Sequence, residues 1–315
     1  MKYRVGCVPY ANAYPLVAWF NEMGLDSPVE IVYEVPSALP SRLESGELDA
    51  ILVSSVDALR VPGRRMAENV CIGSDGEVQS VRLFSQVPFE QIKSLAWDQS
   101  SMTSNRLAVI ILREKYGITP NYNPEEPDID GMLNLHDACI IIGDLGMAAN
   151  GEGLHVLDLG SAWKELTGKG FVWAAWLGKE KLTPELALLL TVAASRHSAG
   201  KMPESHWLDR YILRRWQGEL GHLFEPQFEQ MLDFAVEKSG WERETLRKYY
   251  REVIVYELSD PMLAGLKEFQ QRLFKNGFED CVHFPAMVSA LGADMELIKS
   301  LLGNHFSAIQ FENTI

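Results

Sequence analysis

The chain has 315 residues, 47% of them hydrophobic and 23% charged, which suits a soluble globular protein with sequence enough for two lobes of ordinary size. Its 43 acidic against 29 basic residues give a net charge of −14, with no basic excess to neutralise phosphates, so a nucleic-acid binder is excluded. No apolar run reaches the length of a membrane span, and the opening MKYRVGCVPYANAYPLV lacks the unbroken apolar core of a signal peptide, so a cytoplasmic protein with no membrane segment is expected.

In chain order, Arg4 to Pro9 reads as a strand, and Asn12-Ala13-Tyr14-Pro15 opens a helix whose apolar positions Leu16, Trp19, Phe20 and Met23 recur before Gly24. Val29 to Val35 alternates as a strand, Ser37 caps a helix running to Gly46, and Leu48 to Val53 is a buried strand ending at Ser54-Ser55. This alternation predicts a parallel α/β unit, in which ligands bind beyond the carboxyl ends of the strands, where Tyr10, Asn12, Ser54 and Ser55 fall.

Glu77 to Phe84 has the two-residue period of a strand and places Ser80 and Arg82 on one face. A short apolar strand, Ser94 to Trp97, then runs into Asp98-Gln99-Ser100-Ser101-Met102-Thr103-Ser104 and a long apolar helix to Gly117. Asp137 to Ile142 is a strand that opens a helix at Gly143-Asp144; Leu154 to Leu159 and Gly170 to Leu177 are further strands, the last returning to the first lobe. From Thr183-Pro184-Glu185 to about Phe274 the pattern reads as helical. The boundaries are residues 1–87 for the first part of lobe one and 88–177 for an inserted lobe two, with extended crossings near Val87 and Trp176. Residues 178–274 complete lobe one, and residues 275–315 form a C-terminal extension.

The candidate chemistry is that of a small-acid site. Ser101, Thr103 and Ser104 exceed what one helix cap requires, and the surplus points to an anion held at a helix N-terminus. Asn12 reads more readily as an ordinary turn residue than as a ligand contact; Ser80 suits a ligand contact and equally a satisfied strand serine. Asp144 reads as a helix cap or a ligand contact, Arg82 as a solvated strand arginine or a carboxylate partner, and Trp163, Trp173 and Trp176 as core. Cys7, Cys71, Cys139 and Cys281 read as buried thiols, and with no CxxC, no HExxH and no ligand spacing among seven histidines, no metal is expected. The residues alone leave open whether the protein binds its acid or transforms it.

The segments VPYANAYPLV (8–17), LPSRLESGELDAILVSSVDALR (39–60), GEVQSVRLFSQVPFEQIKSLAWDQSSMTS (76–104), IIIGDLGM (140–147) and DLGSAWKELTGKGFVWAAW (158–176) resemble the chorismate dehydratase family of the futalosine route to menaquinone. REVIVYELSDPMLAGLKEF (251–269) resembles the family's usual ending, and the stretch past Phe274 extends beyond it. The resemblance implies a two-lobed α/β fold like type II periplasmic binding proteins, with a helical C-terminal part. It also implies a hydro-lyase that removes water from chorismate, without a cofactor, to give 3-[(1-carboxyvinyl)oxy]benzoate. On this resemblance the catalytic residues are Asn12, in the Tyr-x-Asn motif, and Ser80, in the G-x-V-x-S-V motif. The proton would go to the substrate's own enolpyruvyl carboxylate. Tyr10, Ser55, Ser101, Thr103, Ser104 and Asp144 are the expected substrate-binding residues. Ala11 and Tyr14 depart from residues common in the family, and the extension is a candidate homodimer contact or a docked extra helix. Beside this one stand some other small-acid lyase and two further readings. The first is a non-catalytic small-carboxylate-binding protein. The second is the sibling dihydroxynaphthoate synthase, whose Ser-Pro-Cys-Pro-Asn-type first loop VPYANAYPL lacks.

Overall fold

The computed structural model of the chain describes residues 2–197 and 227–303. Strand β1 (Tyr3–Cys7) leads through a 3₁₀ turn (Ala11–Leu16) to α1 (Ala18–Met23), β2 (Val29–Tyr33), α2 (Leu39–Glu44), β3 (Ala50–Ser54), α3 (Ser55–Arg60) and β4 (Arg65–Ser74). The middle of the chain gives β5 (Val81–Ser85), β6 (Ser94–Asp98), α4 (Thr103–Tyr116), β7 (Asn121–Glu125), α5 (Ile129–Leu135), β8 (Ala138–Ile142) and α6 (Gly143–Ala148). After β9 (His155–Asp158), α7 (Leu159–Thr167) and β10 (Phe171–Gly178) come α8 (Pro184–His197), α9 (Phe228–Ser239) and α10 (Arg243–Lys248). A π-helical turn (Tyr249–Val253), β11 (Ile254–Leu258), α11 (Asp260–Lys275), β12 (Ala286–Val288) and α12 (Met295–Leu302) follow.

The strands form two sheets. The first has the order β11-β4-β10-β3-β1-β2, with β12 also beside β4, and the second has the order β7-β6-β8-β5-β9. Strand β1 is parallel to β2 and β3, and β6 is parallel to β7 and β8, so the helix-connected strands pair as their alternating pattern requires. Strand β3 is nearly all buried, which is why AILVS shows no alternation. Helix α4 buries its LAVIIL stretch and stops where Gly117 takes the left-handed conformation at φ 69°.

Sheet membership moves both crossings from where the sequence pattern puts them. The chain leaves the first sheet after Ser74 and enters the second at Val81, so the first crossing is residues 75–80 and not Val87. The return is residues 168–170, and Trp176 lies inside β10, paired to Leu52 of the first sheet. Side chains fix both places: the Asp158 carboxylate accepts from the backbone N–H of Val78 and Gln79, and the Trp163 indole N–H donates to Gly170 O at 3.1 Å.

Residues 178–274 are not wholly helical either. Ile254–Leu258 alternates buried and half-buried residues and pairs antiparallel with β4. The extension folds back on its own chain, where β12 adds parallel to β4, His283 N–H donates to Leu59 O, and Asp280 bonds Arg60 of α3. Residues 198–226 of the predicted helical run lie outside the described residues.

Candidate active site

A cavity of about 590 Å³, its open mouth included, lies between the two sheets at the carboxyl ends of their strands. Tyr10, Asn12, Leu52 to Ser54, Trp173 and Ala174 line it from the first sheet, and Ser100 to Ser104, Ile142 and Gly143 from the second. Among the described residues of this wall, Tyr10 is the one that carries an ionisable side chain, and burial raises its pKa first, with weaker contributions from its neighbours.

The first wall is built from the loop after β1 and from tyrosines far along the chain. Tyr250 donates from its hydroxyl to Ala11 O at 2.8 Å, and Tyr256 donates to Asn12 O at 2.9 Å. Tyr249 donates to Ser80 Oγ at 2.9 Å. Burial pushes the hydroxyls of all three well above the usual tyrosine value, so they stay protonated donors at neutral pH. With its backbone held this way, Asn12 lines the cavity, and its Oδ1 is buried without a hydrogen-bond partner.

The second wall is the start of α4. Met102 precedes the helix and no side chain caps it, so the first backbone N–H groups of this 14-residue helix lack the partner a cap supplies. Asn105, buried one turn in, is committed elsewhere, donating to Asp98 O at 2.9 Å and Ser101 O at 2.5 Å. Ser101, Thr103 and Ser104 are buried and line the cavity beside these amides. The two walls also touch: Thr103 Oγ1 hydrogen-bonds Ser54 Oγ and accepts from Val56 N–H at 3.2 Å. Across the mouth, Asp144 at the start of α6 accepts from Ala11 N–H at 3.1 Å.

Five of the eight expected site residues, Tyr10, Asn12, Ser101, Thr103 and Ser104, therefore line the cavity. Ser55, Ser80 and Asp144 do not. Ser55 is fully buried and donates to Val172 O at 2.7 Å, which ties α3 to β10. Asp144 is spent on Ala11, and burial raises its pKa, with the Ala11 N–H opposing. Ser80 is not in a strand: its N–H donates to Val78 O at 2.7 Å across a three-residue turn centred on Gln79 at φ 61°. This strained turn is held by Asp158 and directs the Ser80 hydroxyl to Tyr249, behind the wall that Val81 lines.

Arg82 points away as well. It donates to Gly146, Met147 and Ala149 O at the end of α6, neither solvated nor free for a carboxylate. Of the tryptophans, Trp163 and Trp176 are core, whereas Trp173 lines the cavity and donates to Ser74 Oγ at 3.1 Å. Tyr249, Tyr250 and Tyr256 had no part in the sequence argument; their signal was the alternation IVYEL after a tyrosine pair.

Residues 3–275 match a protein family described as menaquinone biosynthesis. The chain belongs to this family. Within reach of the menaquinone biosynthesis family, the chain is 28% identical over 222 residues to a Thermus thermophilus protein named chorismate dehydratase, covering 64% of this chain and 79% of that one. Its fold is that of periplasmic-binding-protein-like structures. It superposes on protein AF1704 of Archaeoglobus fulgidus with a TM-score of 0.62 at 16% identity, covering 88% of this chain and 98% of that one. The periplasmic aliphatic sulphonate binding protein of Escherichia coli gives a TM-score of 0.55 at 13% identity, covering 93% and 95%. The family match ends at residue 275, where the docked extension begins. Among the described residues no helix is long and apolar enough to cross a membrane, and no cluster of His, Cys, Asp and Glu could hold a metal ion.

Proposed function

We propose that the protein is a carbon-oxygen lyase that removes water from chorismate to give 3-[(1-carboxyvinyl)oxy]benzoate in the futalosine route to menaquinone. The observation that carries this reading is the pairing of the two walls: Asn12 lines the cavity on one side, and an uncapped helix N-terminus rimmed by hydroxyls lines it on the other. Family membership and the Thermus thermophilus relative supply the substrate.

In the proposed reaction α4 and its hydroxyls hold a substrate carboxylate, and Asn12 at the opposite wall orients the ring and the hydroxyl that leaves. The C3–H bond breaks, its electron pair becomes the new ring double bond, and the C4–O bond breaks with the oxygen leaving as water. The proton passes to the enolpyruvyl carboxylate of the substrate itself and from there to the departing C4 oxygen, which completes the water. Electrons balance without an oxidant or reductant, and aromatisation drives the step. The wall's task is to hold the geometry and exclude water, which a mostly apolar cavity with a few fixed polar atoms does.

Incubation of the protein with chorismate tests this. The expected result is loss of the cyclohexadiene absorbance with one aromatic product per chorismate consumed. Chorismate bound by folded protein and recovered unchanged would replace the lyase with a carboxylate-binding protein.

A further inference from the structure

The start of α4 is held from outside the cavity by two arginines. Arg106, in its first turn, donates to Met102 O at 3.3 Å, and Arg60, at the end of α3, reaches Met102 Sδ at 3.8 Å. Neither arginine lines the cavity, whereas Met102 does. Two guanidiniums on one residue repel each other, and a cation in the first turn of a helix also opposes the macrodipole. One carboxylate answers both. Asp280 Oδ2 accepts from Arg60 Nε at 2.7 Å and stands 3.9 Å from Arg106 Nη2.

Asp280 belongs to the extension, past residue 275 where the family match ends. The extension starts on α4 and finishes on α3 and β4. Asn276 accepts through its O from Arg113 and donates from Nδ2 to Glu114 Oε1 at 2.8 Å, both near the far end of α4. The Arg106 guanidinium lies over the Phe278 ring, 5.3 Å from its centre, and Cys281 is fully buried beside Asp280. His283 N–H then donates to Leu59 O at 3.0 Å, and β12 pairs with β4.

We infer that Asp280 is a positioning residue of the anion wall: from a strap that runs from α4 to α3 and β4, it holds Arg60 and Arg106 together on Met102 and so sets the start of α4 against the first wall. This rests on the lyase reading for what the wall binds, but not for the strap itself. The Asp280 side chain is half-exposed, where an ion pair adds little to overall stability, so the effect falls on the spacing of the walls and not on folding.

The test reads that spacing without turnover. Spin labels on Val35→Cys and Gln99→Cys sit at exposed positions next to Pro36, after β2, and Ser100, after β6, which line the cavity from the two sheets. The four native cysteines are buried and stay unlabelled. The wild type is expected to give one narrow distance distribution. Asp280→Asn, which keeps the shape and removes the charge, and Asp280→Ala are expected to broaden it toward longer distances, and Asp280→Glu to keep it narrow. Equilibrium binding of chorismate should weaken about 5-fold in Asp280→Ala while the single-turnover rate of the bound complex falls less than about 2-fold, with Tm near that of the wild type. A mouth as narrow in Asp280→Ala as in the wild type, an Asp280→Glu as wide as Asp280→Ala, or a loss that falls on the bound rate overturns the inference. Chorismate bound but never converted by the wild type, with a mouth that Asp280→Ala still widens, would sink the lyase reading alone.

Discussion

The two walls of the cavity are held in opposite ways. On the first, nearly every polar group around Asn12 is committed: Ala11 O and Asn12 O each accept from a tyrosine, Ala11 N–H donates to Asp144, and one acceptor atom remains open. On the second, the start of α4 has no side-chain cap, and several donors face the cavity together. The difference teaches a division of labour. A wall with one open atom fixes the geometry of a single bond, and a wall with many open donors holds an anion whose exact pose other contacts can set.

That division is broken most directly at Asn12. Asn12→Ala removes the one open acceptor while leaving its backbone bond from Tyr256 in place, so folding should be retained. The expected kcat loss is about 10²–10³-fold, the scale seen when a single preorganised hydrogen bond at a reacting centre is removed. KM should change far less. Steady-state kinetics on chorismate check this, and a variant whose loss lies mainly in KM would make the first wall a binding wall like the second.

The sequence carried the second wall better than the first. Ser101, Thr103 and Ser104 are legible because a helix start is a local event, written in hydroxyls just before an apolar periodic run. Asn12 is local in the same sense, but what makes it more than a turn residue is two tyrosines from the other end of the chain, which bond Ala11 O and Asn12 O, and no local pattern reports such contacts. Ser80 was placed in a strand because residues 77–84 alternate; the Asp158 carboxylate, pulling on two backbone N–H groups, overrides that period with a tight turn. Strand β7 was missed because NYNPE is mostly exposed and contains a proline, as an edge strand can. Strand β4 was missed because Glu68 and Asn69 interrupt its apolar pattern, and Asn69 takes φ 75° where the pairing with β10 is irregular. Strands β1, β3, β8 and β10 were legible because burial on both faces makes them short and apolar.

A smaller effect sharpens the comparison from the other side. Thr103→Val removes a hydroxyl that lines the cavity and also accepts from Val56 N–H, leaving that buried donor without its partner. Substrate affinity should weaken about 10-fold, roughly 1.4 kcal/mol, while the rate of the bound complex falls less than about 3-fold. Thr103→Ser, which keeps the hydroxyl, should restore most of the affinity. Equilibrium binding and single-turnover rates separate the two quantities, and a variant slowed in the bound complex but not weakened in binding would move Thr103 to the reacting wall.

The smallest effect belongs to Asp144, which joins the walls without lining the cavity. Burial raises its pKa above the ordinary carboxylate value, so the folded protein holds a proton there more readily than the unfolded chain does. The sign follows: its contribution to stability is fully present below the unfolded value and is lost as pH rises through the folded one. Asp144→Asn is neutral at every pH and keeps an oxygen for Ala11 N–H, so at pH 7 its Tm should equal or exceed that of the wild type by about 1–2 °C. The difference should close as the solution is acidified and the wild-type carboxyl takes up its proton. Turnover should fall no more than about 3-fold, and kcat should show no protein ionisation near neutrality, because the tyrosines around Asn12 titrate far above it and the substrate supplies the proton acceptor. Were Asp144 the base, the outcome would be different in kind: Asp144→Asn would abolish turnover, and the wild-type rate would drop as pH falls through the raised pKa. A chorismate analogue without the enolpyruvyl carboxylate makes the same distinction from the substrate's side. It should bind and stay unreacted, and its aromatisation by the wild type but not by Asp144→Asn would transfer the proton from the substrate to the protein.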